Sequence, residues 1–253
     1  MVEMFNLLKV EFHKLKTYKI FYFLILLTIL QAVSMVTLSD LFRRECGQDV
    51  LVRTLLAQQG LSIIIFSGIF IGDYIVREFT SGYIKNLIIY GHKRAHIVIS
   101  KFITCSLGLV IIGFTCPIIV CVRNTFINGY GTEFNLVSFL FLIRLFILMF
   151  FVYSVLAAIA VLIAFLFRNS ESFVISMVFV LDFINRIINF FSIRNRSMLV
   201  SKIYSKSISS KMFEALKNKV PLTDLVSIIF YCLVIIIIFM SLSIYVFKRA
   251  DIK

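Results

Sequence analysis

The chain has 253 residues, of which 60% are hydrophobic and 15% are charged. Soluble domains carry about 45–50% apolar and about 25% charged residues, so this composition excludes an ordinary water-soluble globule and a disordered chain. In a chain this apolar, the formal net charge of +13 points to basic loops on the cytoplasmic side of a bilayer, and no nucleic-acid partner is expected.

Six apolar runs are long enough to cross a membrane, because a hydrocarbon core of roughly 30 Å needs a helix of about 20 apolar residues. In lipid each segment must satisfy its own backbone polar groups, and the runs lack period-two alternation, so helices are predicted rather than strands. The predicted spans cover residues 19–38, 55–76, 102–122, 145–167, 173–193 and 225–247. We therefore predict an all-α polytopic membrane protein that forms one transmembrane domain over residues 1–253.

The segment before the first run has the pattern of an amphipathic helix. Its apolar residues recur at three- and four-residue spacing, with lysines and an acidic residue between them: Phe5, Leu8, Phe12 and Leu15. This spacing places them on one face of a helix. An interfacial helix is therefore predicted under the membrane, before the first span.

The polar stretch after the second run contains a second amphipathic pattern. Its apolar residues fall on one helix face: Phe79, Tyr83, Ile84, Leu87 and Ile88. Its polar residues lie largely off that face: Glu78, Ser81, Lys85 and Asn86. Gly91 is placed to end the helix. Such a helix suits either the membrane surface or a groove on a partner protein.

The residues of common catalytic and metal sites are not arranged for chemistry. No phosphate loop of the pattern G-x-x-x-x-G-K-[ST] is present, so ATP hydrolysis by that route is not expected. His92 and His96 are four residues apart, but no carboxylate or Cys lies close by in the sequence to complete a metal site. Asp73 has Arg77 four residues further on, which predicts an ion pair rather than a catalytic carboxylate.

The run over residues 173–193 is the weakest span, because it contains Asp182, Asn185 and Arg186. A charge near the bilayer centre costs about 2.5–3.5 kcal/mol, although Asp182 and Arg186 are four apart and can pair. Eight Lys and Arg residues lie between positions 186 and 219. The positive-inside rule alone would keep them cytoplasmic and favours five spans over six.

Four features of the chain resemble the membrane subunits of ABC-2-type ABC transporters, especially the short bacterial permeases of antibiotic- and bacteriocin-export or immunity systems. The first is the start Glu11-Phe12-His13-Lys14-Leu15-Lys16, and the second is the loop pattern of Glu78, Phe79 and Gly82 followed by Arg94 and Lys101. The others are the six runs and the end Phe247-Lys248-Arg249-Ala250-Asp251-Ile252-Lys253. Tyr83 and Gly91 depart from the pattern, standing where Thr and Pro are frequent.

The resemblance implies a multi-pass protein of the cell membrane with both termini cytoplasmic, and therefore six spans. It implies a re-entrant or broken helical piece between spans five and six, which would accommodate Asp182, Asn185 and Arg186. It further implies a permease without enzymatic activity or cofactor of its own. Two such chains, identical or different, would form the pathway, and separate cytoplasmic ATPase subunits would bind the ATP.

The loop after the second span is expected to couple the permease to the ATPase, through residues that the resemblance and the helix pattern single out: Glu78, Phe79, Gly82, Tyr83, Lys85, Leu87, Arg94 and Lys101. The expected substrate is an antimicrobial peptide, an antibiotic or another amphipathic compound. The alternative function is that of a non-transporting membrane immunity or sensor protein, which acts by direct binding and needs no ATPase.

Overall fold

The structure is a computed structural model that describes residues 2–58, 61–131, 133–167, 172–173, 175–177, 179 and 222–249. Within these residues the regular structure is helical, as the apolar runs predict, and no strand occurs. The helices with defined bounds are α1 (Val2–Thr17), α2 (Lys19–Leu38), α3 (Asp40–Arg44), α4 (Gly47–Gln58), α5 (Leu61–Ile71), α6 (Arg77–Thr80), α7 (Tyr83–Ile89), α8 (Arg94–Asn128), α9 (Leu136–Leu166) and α10 (Leu222–Arg249). A π-helical turn over Gly72–Val76 connects α5 to α6.

Four helices in the described part of the chain are long and apolar enough to cross a membrane: α2, α8, α9 and the Leu225–Arg249 part of α10. A fifth candidate is a bent pair, in which Gly47–Gln58 and Ser62–Thr80 meet at an angle of 63°. The span predicted over residues 55–76 is therefore bent, because two helices of different direction share that stretch. The predicted run over 173–193 lies mostly outside the described residues, so six spans stay a prediction.

The central helices of the bundle are α8 and α9. In the most apolar segment of each, 61% of the residues are buried, against 22% in α2 and in α10. Two glycines of α8 allow close packing, since a Cβ on Gly108 or Gly113 would lie 2.5 Å from a ring atom of Phe70 or Tyr153. Small residues are the usual means by which helices approach closely in membranes.

One end of the bundle, called the loop end below, gathers α1, the π-helical turn, α6, α7, the start of α8 and the last turn of α10. The guanidinium of Arg94 donates hydrogen bonds to the carbonyl oxygens of Phe247 (2.7 Å) and Lys248 (2.8 Å). The ring of Phe79 packs on those of Phe165 and Phe247, with centroids 5.4 and 6.2 Å apart. These contacts join α6 and the start of α8 to the ends of α9 and α10.

The opposite end, called the far end below, holds α3, the start of α4 and the connection between α8 and α9. The N–H of Gly47 donates to the carbonyl of Gly129 at 3.0 Å. The side-chain amide of Asn124 donates to the carbonyls of Phe42 (2.6 Å) and Glu45 (3.1 Å). These bonds supply donors to backbone carbonyls at helix ends and in connections, where the helices themselves provide none.

The helix predicted before the first span is present as α1. Its apolar residues Leu7 and Leu15 are buried in the main hydrophobic core, whereas Lys9 and Lys16 are exposed. The predicted helix is therefore confirmed, but of its predicted apolar residues only Leu15 is buried, whereas Leu8 and Phe12 are partly buried and Phe5 is 75% exposed. Its location at a membrane interface stays a prediction. Tyr18 is the one extended residue between α1 and α2.

Candidate functional site

The loop segment consists of two short helices, α6 and α7, and not of the single helix that the sequence pattern predicts. They are separated at Ser81 and Gly82, and Gly82 has a φ of 74°. Glycine adopts this left-handed conformation without the steric penalty of a Cβ, so the chain turns here. The single-helix prediction was wrong because it followed the apolar spacing and ignored this glycine.

The end of α7 follows the prediction. Gly91 has a φ of 86°, and its N–H donates to the carbonyl of Ile88 at 3.0 Å. The N–H of His92 donates to the carbonyl of Leu87 at 3.1 Å. These two bonds form a Schellman motif, in which a left-handed residue ends a helix. Gly91 therefore ends α7, as its position in the sequence predicts.

The two faces of α7 differ in burial. The inner face packs in the main core through Ile84 and Leu87, which are buried, and through Tyr83 and Ile88, which are partly buried beside Phe79. The opposite side is exposed, and we call it the α7 outer face: Lys85, Asn86, Ile89 and Tyr90. Ile89 and Tyr90 are 70% and 82% exposed. A large apolar pair therefore stands at the loop end, on a helix whose other side is fixed.

Beneath α7 lie four charged side chains, which we call the ion cluster: Glu11, Lys14, Glu78 and Lys101. The ammonium of Lys101 lies 2.6 Å from a carboxylate oxygen of Glu11 and 2.5 Å from one of Glu78. The other oxygen of Glu78 accepts a hydrogen bond from the ammonium of Lys14. Two acids and two bases balance, which is the condition under which buried charges are tolerated.

Three of the four side chains in the ion cluster are shielded from solvent. The side chains of Lys101 and Glu11 are 0% and 1% exposed, and that of Glu78 is buried, whereas Lys14 is partly exposed. The cluster joins three elements, because Glu11 and Lys14 belong to α1, Glu78 to α6 and Lys101 to α8. It therefore ties the N-terminal helix to the loop segment and to the central helix of the bundle.

Tyr74, in the π-helical turn, supports the ion cluster. Its hydroxyl donates to a carboxylate oxygen of Glu11 (2.7 Å), and the ammonium of Lys14 lies 4.0 Å from the centre of its ring. A π-helical turn winds more slowly than an α-helix, so residues four apart remain aligned. Phe70, Tyr74 and Glu78 accordingly all point inward and are buried.

A second polar group flanks the cluster at Asp73. Arg77 lies 3.6 Å from one carboxylate oxygen of Asp73, which confirms the pair that the spacing predicts, and the hydroxyl of Tyr18 donates to the other.

Tyr83 lies next to the ion cluster, and its surroundings change the pKa of its phenol. Burial raises this pKa, the negative charge of Glu11 raises it further, and Lys101 lowers it. Tyr83 is therefore a neutral phenol at physiological pH.

A cleft of about 510 Å³ opens beside the cluster, between α1 and the segment from Asp73 to Tyr83. Lys14 and Glu78 line the cleft, together with His13 and Arg77, which are both exposed. The cleft gives α1 and the side chain of Lys14 open space next to the buried charges. At the loop end, the buried charged side chains of the ion cluster therefore lie next to an open cleft.

The structure separates the residues that the sequence grouped as one coupling loop. Lys85 is on the exposed side of α7, but Glu78, expected off the apolar face, is buried, because it belongs to α6 and points at Lys101. Arg94 is occupied with the carbonyls at the end of α10. The predicted intramembrane polar residues Asp182, Asn185 and Arg186 lie outside the described residues.

Sequence reasoning missed that Glu11 and Lys14 join Glu78 and Lys101, although all four occur in the quoted motifs. The pairs span up to 90 positions, and no local spacing rule connects residues so far apart. The available signal was that Lys101 opens a strongly apolar run. A lysine in that position needs a buried partner or a path to solvent, and the partners are the two glutamates.

Comparison with protein families gives a match that includes the whole ion cluster. The sequence family described as ABC-2 family transporter protein matches residues 7–189. No curated protein matches the chain significantly. The matched stretch covers more than half of the chain, and the apolar helices make it a multi-pass membrane protein. The chain belongs to the ABC-2 family of transporter proteins and is a membrane permease of an ABC transporter.

Proposed function

We propose that the chain is the membrane-spanning subunit of an ATP-driven exporter, and that separate ATPase subunits dock on the α7 outer face. The observation that carries this is the exposed pair Ile89 and Tyr90, on a helix fixed from below by Ile84 and Leu87. Aromatic side chains on a rigid support are typical anchors of protein interfaces. Lys85 and Lys93 flank the pair and would suit an acidic rim on the partner.

The distribution of charge supports a cytoplasmic position for the loop end. Exposed basic residues are concentrated there: Lys9, Lys16, Lys19, Arg77, Lys85, Lys93, Lys248 and Arg249. The far end has fewer in the described part of the chain, at Arg43, Arg44 and Arg53. Because Lys and Arg accumulate on the cytoplasmic side of membrane proteins, both described termini are proposed to lie there.

In this proposal two permease chains, identical or different, form the pathway, and the partner subunits bind and hydrolyse ATP. ATP binding closes the ATPase pair and pushes α7, which moves α6, the ion cluster and the first spans. ATP shifts access only by as much as it binds one state of the complex more tightly than the other. The substrate proposed from the resemblance to antibiotic- and bacteriocin-export permeases is an amphipathic compound such as an antimicrobial peptide or an antibiotic.

The test is purification of the chain from its native membrane with associated proteins, followed by measurement of ATPase activity. We expect an ATPase subunit to copurify, and Tyr90→Ala to reduce its recovery at least tenfold, since anchors of this kind contribute more than about 1.4 kcal/mol. Phe126→Ala is the matched control, because Phe126 is equally exposed but lies at the far end. Recovery of the intact permease without an ATPase would favour the alternative, an immunity or sensor protein that acts by direct binding.

A further inference from the structure

The ion cluster joins two structural units, and each unit carries one acid and one base. α1 contributes Glu11 and Lys14, whereas the segment from α6 to α8 contributes Glu78 and Lys101. In the structure the pairs cross between the units, Glu11 with Lys101 and Lys14 with Glu78. We call this the held arrangement, because these pairs tie α1 to the bundle.

A second arrangement balances the same charges without joining the units. Glu11 and Lys14 are three residues apart on α1, so they share a helix face and can reach each other. Glu78 and Lys101 already lie 2.5 Å apart. If α1 moves away, each unit keeps one complete pair, and no buried charge loses its compensation. We call this the released arrangement.

We propose that Lys101 is a positioning residue of the ATP-driven step, and that the four charges change from the held to the released arrangement when ATP binds the partner subunits. This inference rests on the proposed function and adds the element that moves. Glu78 lies just before α7 and pairs with Lys101 in both arrangements, so a push on α7 reaches the cluster directly. Because only Tyr18 separates α1 from α2, release of α1 changes the tilt of the first span.

The surroundings of the cluster permit this exchange. Lys14 is partly exposed and lines the cleft, so its ammonium has open space into which it can move away from Glu78. The buried contacts of Leu7 and Leu15 must loosen as α1 moves. Loss of that apolar burial opposes release, which is why the held arrangement is favoured until ATP binding supplies the work.

Two double variants separate an exchange of partners from a static cluster. Glu11→Gln with Lys14→Met removes both charges of α1 and leaves the pair of Glu78 and Lys101, so the released arrangement is favoured. Glu11→Gln with Lys101→Met leaves Lys14 and Glu78, which can pair only while α1 is held. Each variant removes one acid and one base, and both keep the cluster neutral. An exchange of partners therefore predicts that α1 is released in the first variant and held in the second. A merely structural role of the cluster predicts the same effect on α1 in both variants.

The measurement is the distance between spin labels on Lys16→Cys and Lys248→Cys, both exposed and neither part of the proposed docking surface, in the complex with its ATPase and with the native cysteines replaced. It is made without nucleotide and after trapping with ATP and vanadate. In the otherwise unaltered chain, trapping is expected to lengthen the distance by about 3 Å or more, since separated charges with a water molecule between them lie two hydrogen-bond lengths apart. Lys14→Arg, which keeps the charge, is expected to behave in the same way.

The variants give the decisive results. Glu11→Gln/Lys14→Met is expected to show the long distance without nucleotide, and Glu11→Gln/Lys101→Met to keep the short distance after trapping. Equal lengthening in both variants, or an unchanged distance in an unaltered complex that hydrolyses ATP, overturns the exchange and leaves the proposed function standing. Failure of any ATPase to associate overturns both. If a variant does not fold, the unaltered chain alone decides.

Discussion

The loop end and the far end each contain an ion pair between an arginine or lysine and a glutamate, yet the two pairs differ in their surroundings. At the far end Arg53 lies 2.6 Å from Glu45, and half of the arginine side chain is exposed. At the loop end Lys101 lies 2.6 Å from Glu11 with no exposure. Equal distances thus conceal different energetics, because water screens one pair and protein surrounds the other.

The difference shows where the bundle depends on charge and where it depends on backbone hydrogen bonds. The amide of Asn124 and hydrogen bonds between main-chain groups hold the elements of the far end together. The ion pair at this end only adds to these bonds. The loop end is joined by the ion cluster, whose members need one another. A structure that depends on buried charges responds sharply when a neighbouring helix is pushed, and this suits the end at which we propose that ATP acts.

The largest effect is expected for Lys101→Met. The variant leaves Glu11 without its ammonium partner and Glu78 with Lys14 alone, and breaking a buried pair in this way costs about 3–5 kcal/mol. The free energy of unfolding in detergent, followed by circular dichroism, should fall by that amount. A loss as small as that of an exposed pair would show that water reaches the cluster and would remove the contrast between the two ends.

The next largest effect is expected for Asn124→Ala at the far end. Asn124 is buried, and its removal takes this donor from the carbonyl of Phe42, whereas the carbonyl of Glu45 keeps the amide of Asn128. Leaving a buried acceptor unpaired costs about 1–3 kcal/mol. The same unfolding measurement applies. Asn128→Ala is the control, because Asn128 donates to the carbonyls of Arg43 and Glu45 but is exposed, so water can replace its amide. Equal losses in the two variants would contradict the role given to burial.

A smaller effect is expected for Gly91→Ala. Nothing lies within 4 Å of the added Cβ, so the cost is that of the left-handed backbone alone, about 1–2 kcal/mol. Hydrogen exchange should accelerate in the amides of α7 and remain unchanged in α9. Gly68→Ala, in the middle of α5 and free of close contacts, should have no such effect. Unchanged exchange in α7 would mean that the Schellman motif does not hold the helix end.

The sequence was sufficient for those features that depend on neighbours along the chain. The apolar face of α7, its end at Gly91 and the pair of Asp73 with Arg77 follow from spacings of a few residues, and the structure confirms each one. The helical class of the protein follows from the length of the apolar runs and their lack of period-two alternation. These features rest on backbone geometry and helix periodicity, which act locally.

The features that the sequence did not predict depend on contacts between distant segments. Glu11 meets Lys101 across 90 positions, and the bend of 63° between Gly47–Gln58 and Ser62–Thr80 interrupts a stretch that hydropathy groups into one span. Hydropathy reports how readily a segment enters lipid, and it carries no information on the direction of the helix axis. Tertiary packing brings the two acids and two bases of the ion cluster into one neutral group.

The smallest effect is expected for Arg53→Met, and it completes the comparison of the two ends. Because the arginine is half exposed, loss of its pair with Glu45 should cost less than about 1 kcal/mol. In 1 M salt the screening length falls to about 3 Å, so this difference should disappear, whereas the cost of Lys101→Met should persist because ions do not enter the cluster. Unfolding of both variants at low and high salt measures this directly. An effect of salt on Lys101→Met would mean that the ion cluster opens to solvent, and its charges would then be free to separate without exchanging partners.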